Sequence, residues 1–266
     1  MFLLVGDAKA DDVSERPSLM SLTVRQFPCL SDNYGFLIRD EATGTTACID
    51  TPDADAILAE LKAFGGRLDF ILNTHWHPDH AGGNEAVKAA TGAVVVGPKE
   101  VERIARLDRE VTQGDVVELG ETRLQVFDTG GHTLQHITYY DAEDRIAFVG
   151  DTLFALGCGR LFEGTAEQMW SSLQKIATLP EDTTVYCAHE YTASNARFAL
   201  SVDDGQALKV RAENVFAARE RNEPTVPTTV ALELATNPFL RAPVLRPNLP
   251  PAQAFAEIRL AKDNFK

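Results

Sequence analysis

The chain has 266 residues, 44% of them hydrophobic and 24% charged, an ordinary globular composition with enough length for one large core, or one core and a smaller appendage. Its formal net charge of -14 argues against nucleic acid as the main partner, because neutralising phosphates takes a basic surface, and it requires any anionic substrate to be met by local positive charge. No apolar run approaches the length of a membrane span, so no membrane partner is expected.

The opening Met1-Phe2-Leu3-Leu4-Val5 is too short for a signal-peptide core and has no basic leader. Residues 1–19 read as a poorly ordered extension, with Met20 an alternative start. Strand patterns follow at Leu22–Phe27, Tyr34–Ile38 and Thr45–Asp50, and helical spacing at Ala56–Phe64. Then come an apolar strand at 68–72, a helix over Asn84–Ala90, a strand at Ala93–Val96 and a short helix around Val101–Leu107. Strands continue at Val116–Leu119, Leu124–Phe127, Ile137–Tyr140, Ile146–Val149 and Thr184–Cys187, the last two bracketing a helix at Ala166–Leu179. Strands in meanders, later separated by helices, predict a layered α/β domain with two sheets. After His189 the strand signals stop, and Ala196–Leu200, Ala207–Arg221 and Pro251–Lys262 are helical in pattern. That shift predicts a catalytic domain over 20–190 and a smaller all-helical domain over 191–266.

Cys29, Cys48, Cys158 and Cys187 are far apart and form no CxxC pair, which suits reduced, buried thiols of a cytoplasmic protein. Cys158, in a glycine-flanked segment, reads as a small buried hydrophobe.

The chemistry concentrates in Thr74-His75-Trp76-His77-Pro78-Asp79-His80, on the loop after the 68–72 strand. Half of the chain's 6 histidines stand here, and chance explains such clustering poorly. Histidine is the commonest metal ligand at neutral pH and aspartate adds a hard anionic oxygen. One metal cannot easily use every donor from so short a segment; two adjacent metals can. Three more candidates follow strand ends: His132 in Gly130-Gly131-His132-Thr133, Asp151 in Val149-Gly150-Asp151, and His189 in Cys187-Ala188-His189. They divide well between two metals. His75, His77 and His132 would take one, Asp79, His80 and His189 the other, and Asp151 would bridge them. The donor set suits zinc, with iron or manganese close behind. His136 reads as a packing or supporting residue.

The Thr74–His80 segment matches the HxHxDH signature of the metallo-β-lactamase superfamily, which implies a four-layer αββα fold. Gly131-His132-Thr133, Gly150-Asp151-Thr152-Leu153-Phe154, the Gly157–Thr165 segment, Ala188-His189-Glu190-Tyr191-Thr192 and the helical tail resemble glyoxalase II, the hydroxyacylglutathione hydrolase family. The likeness runs from about Leu22 to the C-terminus. It implies hydrolysis of S-D-lactoylglutathione and related 2-hydroxyacyl thioesters to the acid and glutathione, the second step of methylglyoxal detoxification, in a cytoplasmic monomer. It also implies that metal-activated water is the nucleophile, and that Asp151 and Asp79 carry the catalytic carboxylates. Tyr191 corresponds to a tyrosine that contacts the glutathione moiety, and Arg259 and Lys262 match a basic pair that holds its glycine carboxylate. Their spacing of three puts both on one helix face, which independently suits that task. Arg160 stands where many members have lysine and Phe162 where some have tyrosine. Asp50-Thr51-Pro52-Asp53 departs from the family's Asp-Pro-Gly, a change expected to touch a turn more than the chemistry. Lactonases and β-lactamases share the fold, but the helical tail with Arg259 and Lys262 favours the thioesterase.

Overall fold

A computed structural model describes residues 21–265; the extension expected at 1–19 lies outside them. A β-hairpin opens the fold, β1 (Leu22–Cys29) against β2 (Asn33–Asp40), followed by β3 (Thr46–Ile49) and α1 (Ala54–Ala63). Next come β4 (Phe70–Leu72), the single helical turn α2 (Pro78–Ala81), α3 (Asn84–Thr91), β5 (Val94–Gly97), a 3-10 turn at Lys99–Arg103 and β6 (Arg109–Glu110). These strands form one 6-stranded sheet in the order β1-β2-β3-β4-β5-β6, antiparallel as far as β3 and parallel beyond it.

The second sheet starts with β7 (Val116–Leu119), β8 (Thr122–Asp128), β9 (Ile137–Asp141) and β10 (Ile146–Gly150). A small hairpin, β11 (Leu153–Phe154) with β12 (Gly157–Cys158), precedes α4 (Ala166–Ala177) and β13 (Thr184–Cys187). The tail contains α5 (Thr192–Val202), α6 (Gln206–Glu220), β14 (Thr228–Thr229), α7 (Val230–Thr236), α8 (Ala242–Leu245) and α9 (Pro251–Asp263). The order in this sheet is β14-β13-β10-β9-β8-β7.

Period-two alternation decides which layer each strand residue faces. Phe36, Ile38, Ala47, Ile49, Leu72 and Val96 join the core between the sheets, whereas their neighbours Leu37, Cys48, Ile71 and Val95 pack under α1 and α3 with Ile57, Leu61 and Val87. On the far side Met169, Leu173 and Ile176 of α4 cover the second sheet. The result is the expected αββα stack. Helical spacing located α5, α6 and α9, but the tail is not free of strand: Thr229 of β14 pairs with Thr184. Two residues are too few to leave an alternating signature. Phe239, Phe255 and Ile258 of the tail belong to the same apolar cluster as Tyr139 and Phe148 of the second sheet, so the tail is bonded to the stack by packing as well as by β14.

Both sheets present the C-terminal ends of β3, β4, β10 and β13 at one edge. Backbone bonds close this edge: Tyr34 donates to the Ala188 carbonyl at 2.7 Å and Ile137 to that of Thr74 at 2.9 Å, beside a bridge between Asn33 and His189.

Candidate metal centre and adjoining cavity

At that edge the seven side chains expected to ligate come together from four chain segments. Nε2 of His75 and Nε2 of His132 lie 3.1 and 3.0 Å from Nδ1 of His77. Beyond them, Asp79 Oδ2 stands 3.6 Å from His80 Nε2 and 3.5 Å from His189 Nε2. Asp151 lies between the two groups. Its Oδ1 is 3.3 Å from both His80 Nε2 and His189 Nε2, while its Oδ2 is 3.3 Å from His132 Nε2. One oxygen thus faces each triad. Asp79 and His80 stand on the helical turn α2, where the sequence predicted open loop; Pro78 at its first position fits the fixed φ of a helix start.

Most of these imidazoles are oriented from behind. His75 Nδ1 meets Thr74 Oγ1 at 3.0 Å, and because that hydroxyl donates to Asp50 it must accept from the ring. His132 Nδ1 donates to the Arg160 carbonyl at 2.9 Å. His80 Nδ1 donates to Asp50 Oδ2 at 2.8 Å and His189 Nδ1 to Asp32 Oδ1 at 2.9 Å. With the proton fixed on the outer nitrogen, each inner nitrogen presents a lone pair to other lone pairs and to carboxylate oxygens. His80 Nε2 and Asp151 Oδ1 are buried and have no hydrogen-bond partner. Such converging, unpaired acceptors are costly unless a cation stands among them. The donors fit a pair of divalent cations, and the ligand atoms of each triad lie within 4.8 Å of one another.

Electrostatics divides the triads. Burial, reinforced by neighbouring imidazoles, holds His75 well below the usual histidine range and lowers His132; it also brings His77 down to about 4. Burial opposes charge on His80 and His189 too, but Asp151 leads the carboxylates that outweigh it, taking His80 up to about 9 and raising His189. Burial would raise Asp151, yet His189 and His80 hold it well below the carboxylate range.

His136 supports the centre, as its position suggested. It is fully buried, stacks on His75 at 4.8 Å, and accepts the Asp151 backbone N–H at Nε2 over 3.0 Å. Gly150 makes room for it: at φ +47 a Cβ would fall 2.6 Å from that nitrogen. Asp50, which keeps the family's aspartate, touches the centre through His80 and Thr74, a supporting role that the sequence reading did not assign. Its place at the end of β3, like that of Asp151 after β10, was the available signal. Asp32, in a polar turn, and Asn33, which opens β2 and donates to Asp79 Oδ2 at 3.1 Å, had none.

A cavity of about 440 Å³ opens from the centre. Arg160, Phe162, Tyr191, Arg259 and Lys262, the expected substrate contacts, all line it. Tyr191 stacks on His189 at 4.7 Å, and Phe162, 62% exposed, meets the edges of His77 and His132. Arg259 and Lys262 share a face of α9 as predicted. Arg259 is buried, donating to the Cys158 carbonyl at 3.0 Å and to Asp263 at 2.8 Å, with its Nε unpaired. Lys262 reaches the Ser194 carbonyl at 3.3 Å; burial lowers its pKa, helped by Arg259, Arg197 and Arg160. With Arg160, Arg197, Arg259 and Lys262 around it and Asp263 paired to Arg259, this cationic end suits a carboxylate. Cys158 lies in the cavity wall, and burial pushes its thiol up to about 11, as expected of an unreactive small apolar residue.

The αββα stack with paired triads at its edge is the architecture of the metallo-β-lactamase superfamily. The model of the Metallo-beta-lactamase superfamily matches residues 36–189, and that of the Hydroxyacylglutathione hydrolase C-terminus matches 190–265. The chain is 56% identical over 256 residues to the hydroxyacylglutathione hydrolase of Maricaulis maris, covering 93% of this chain and 100% of the relative. It is 54% identical to that of Erythrobacter litoralis, covering 92% and 100%. The crystal structure of ETHE1 from Myxococcus xanthus superposes with TM-score 0.63 at 28% identity, covering 90% of this chain and 97% of the other. The chain belongs to the hydroxyacylglutathione hydrolase family of the metallo-β-lactamase superfamily.

Proposed function

We propose that the chain hydrolyses S-D-lactoylglutathione and other S-2-hydroxyacylglutathiones to the 2-hydroxy acid and glutathione. The observation that carries this reading is a single cavity with the paired triads at one end and Arg259 and Lys262 at the other. His75, His77 and His132 would hold one cation, Asp79, His80 and His189 a second, and Asp151 both. When bound, the cations supply Lewis acidity that makes water nucleophilic near neutral pH and offsets charge on a carbonyl oxygen. The nitrogen-rich donors favour zinc over iron or manganese.

The chain's own residues position and bind. Arg259 and Lys262, with Arg160 nearby, anchor the glycine carboxylate, so the thioester at the other end of the peptide lies over the triads. Tyr191 and Phe162 flank it with aromatic surface and exclude water from the reacting carbonyl. Asp79, whose side chain is 39% exposed, takes the proton that water releases. The leaving group is a thiolate whose parent thiol has a pKa of about 8.5, so it departs without an acid from the protein. Cys158 is not called upon as a nucleophile.

Residues 20–190 then form the catalytic unit and 191–266 the unit that grips glutathione. No described helix is long and apolar enough to cross a membrane. The free, buried cysteines suit a reducing cytoplasm, and we assign the chain there as a monomer. Turnover of lactoylglutathione, beside a lactone and a β-lactam, tests the substrate; metal analysis of protein purified without added metal tests zinc. Preference for the lactone or the β-lactam would overturn the assignment.

A further inference from the structure

His77 differs from its neighbours. Behind His75, His80, His132 and His189 stands an oxygen at 2.8–3.0 Å from the outer nitrogen. His77 makes its hydrogen bonds through Nδ1 alone, toward His75 and His132, and its outer nitrogen has no partner among the described residues. Two aromatic rings hold it instead. Trp76 lies 4.8 Å away on one side and Phe162 5.6 Å away, edge-on at 82°.

These two rings come from distant segments, and one residue ties them. The Arg103 guanidinium lies 3.7 Å over the Trp76 ring. Its Nη1 also pairs with Glu163 Oε1 at 2.6 Å, next in the chain to Phe162. Glu163 Oε2 in turn accepts the Leu134 N–H at 3.2 Å, reaching the loop that carries His132. A guanidinium can do both at once because its flat face stacks while its edge donates.

We propose that Arg103 is a positioning residue for His77, closing the Trp76 and Phe162 walls around an imidazole whose outer nitrogen no hydrogen bond orients. It acts on the triad of His75, His77 and His132 and not on that of Asp79, His80 and His189. The proposal rests on the two-cation reading above, but its test does not require turnover.

The test loads the full-length protein with zinc and follows zinc loss during dialysis against graded chelator. Wild-type protein releases its ions in two steps. Arg103→Ala releases one ion at about tenfold lower chelator, the scale of losing an outer support of a metal ligand, and leaves the other step in place. Glu163→Gln, which keeps the size and the hydrogen-bonding oxygen but removes the charge, moves the same step in the same direction. Arg103→Lys, charged but unable to stack flat, stays near the alanine value. Combined with Trp76→Leu, Arg103→Ala adds less than it does alone, since only the arm through Glu163 to Phe162 is then left to lose. Cobalt-loaded Arg103→Ala shows a changed ligand-field band. Two unshifted steps, or two steps shifted together, would overturn the proposal. Two zinc ions retained by a wild-type protein inert toward lactoylglutathione would instead remove the substrate assignment and leave this one standing.

Discussion

The two triads of the centre are built on different supports. His80 and His189 are backed by the carboxylates of Asp50 and Asp32, whereas His75 and His132 are backed by a hydroxyl and a backbone carbonyl, and His77 by rings alone. A carboxylate behind an imidazole makes the ring a stronger donor and adds negative charge to the site. The triad with an anionic ligand is therefore the more anionic throughout, and the all-imidazole triad is held neutral by burial. Two cations of equal charge would meet two unequal hosts, with Asp151 the only ligand that faces both.

The largest effect should come from removing that shared carboxylate. Asp151→Ala should lower kcat/KM by at least about a thousandfold, the scale of deleting a main stabiliser of transition-state charge, and metal analysis should find fewer than two ions per chain. Full occupancy with normal turnover would show that the triads do not depend on it. A smaller change should separate them. Asp50→Asn keeps the size and tolerates φ +56, but takes the charge from behind His80. Chelator titration should show roughly 10–100-fold weaker binding of one ion and a lesser change in the other, because Asp50 reaches the second triad only through Thr74. Equal weakening of both would erase the distinction between supports.

The cavity's far end offers a contrast in kind. Lys262→Ala should raise KM about tenfold and leave kcat within a factor of about two, since a charged hydrogen bond to a remote carboxylate contributes equally to ground and transition states. A fall in kcat at constant KM would mean that Lys262 acts on the reacting carbonyl.

What could be read from the sequence follows from how local each signal is. Alternating strands carry their own period, so the sheets were legible; β6, β11, β12 and β14, each of two residues, carry too little pattern to stand out. The ligand candidates were legible because histidine and aspartate after an apolar strand are chemically conspicuous. Their supports were not. Asp32 reaches His189 across 157 positions and Glu163 reaches Arg103 across 60, contacts that only the stacking of the two sheets creates. Asp50 is the exception, since its place at the end of β3 repeated the pattern of Asp151 at the end of β10. The tail's helices were visible by their spacing, whereas its packing against α4 and the second sheet was not, because Phe239 and Phe255 look the same in an independent domain.

The smallest effect tests the contrast most directly, through the stability of metal-stripped protein against pH. His77 has its pKa brought down to about 4 by burial first and His132 second, against about 6.5 when unfolded. Between those values the unfolded chain binds more protons, so stability falls as pH drops from about 6.5 toward 4. His80 works in the other direction: its folded value of about 9, set by carboxylates that outweigh burial, gives a contribution present below about 6.5 and lost as pH rises through 9. The two triads together should give stripped protein a melting temperature that peaks near neutrality and declines on both sides. Asp50→Asn should reduce the alkaline decline, since Asp50 stands second to Asp151 among the carboxylates that raise His80, and should change the acid one less, because Asp50 meets the other triad through Thr74. Zinc should flatten the alkaline decline by taking the place of the proton on His80, and should keep or steepen the acid one, because protons compete with the metal for His77. An alkaline limb unchanged in Asp50→Asn would mean that the charge behind His80 is not what sets its affinity for a proton, and with it the argument for unequal hosts would fall.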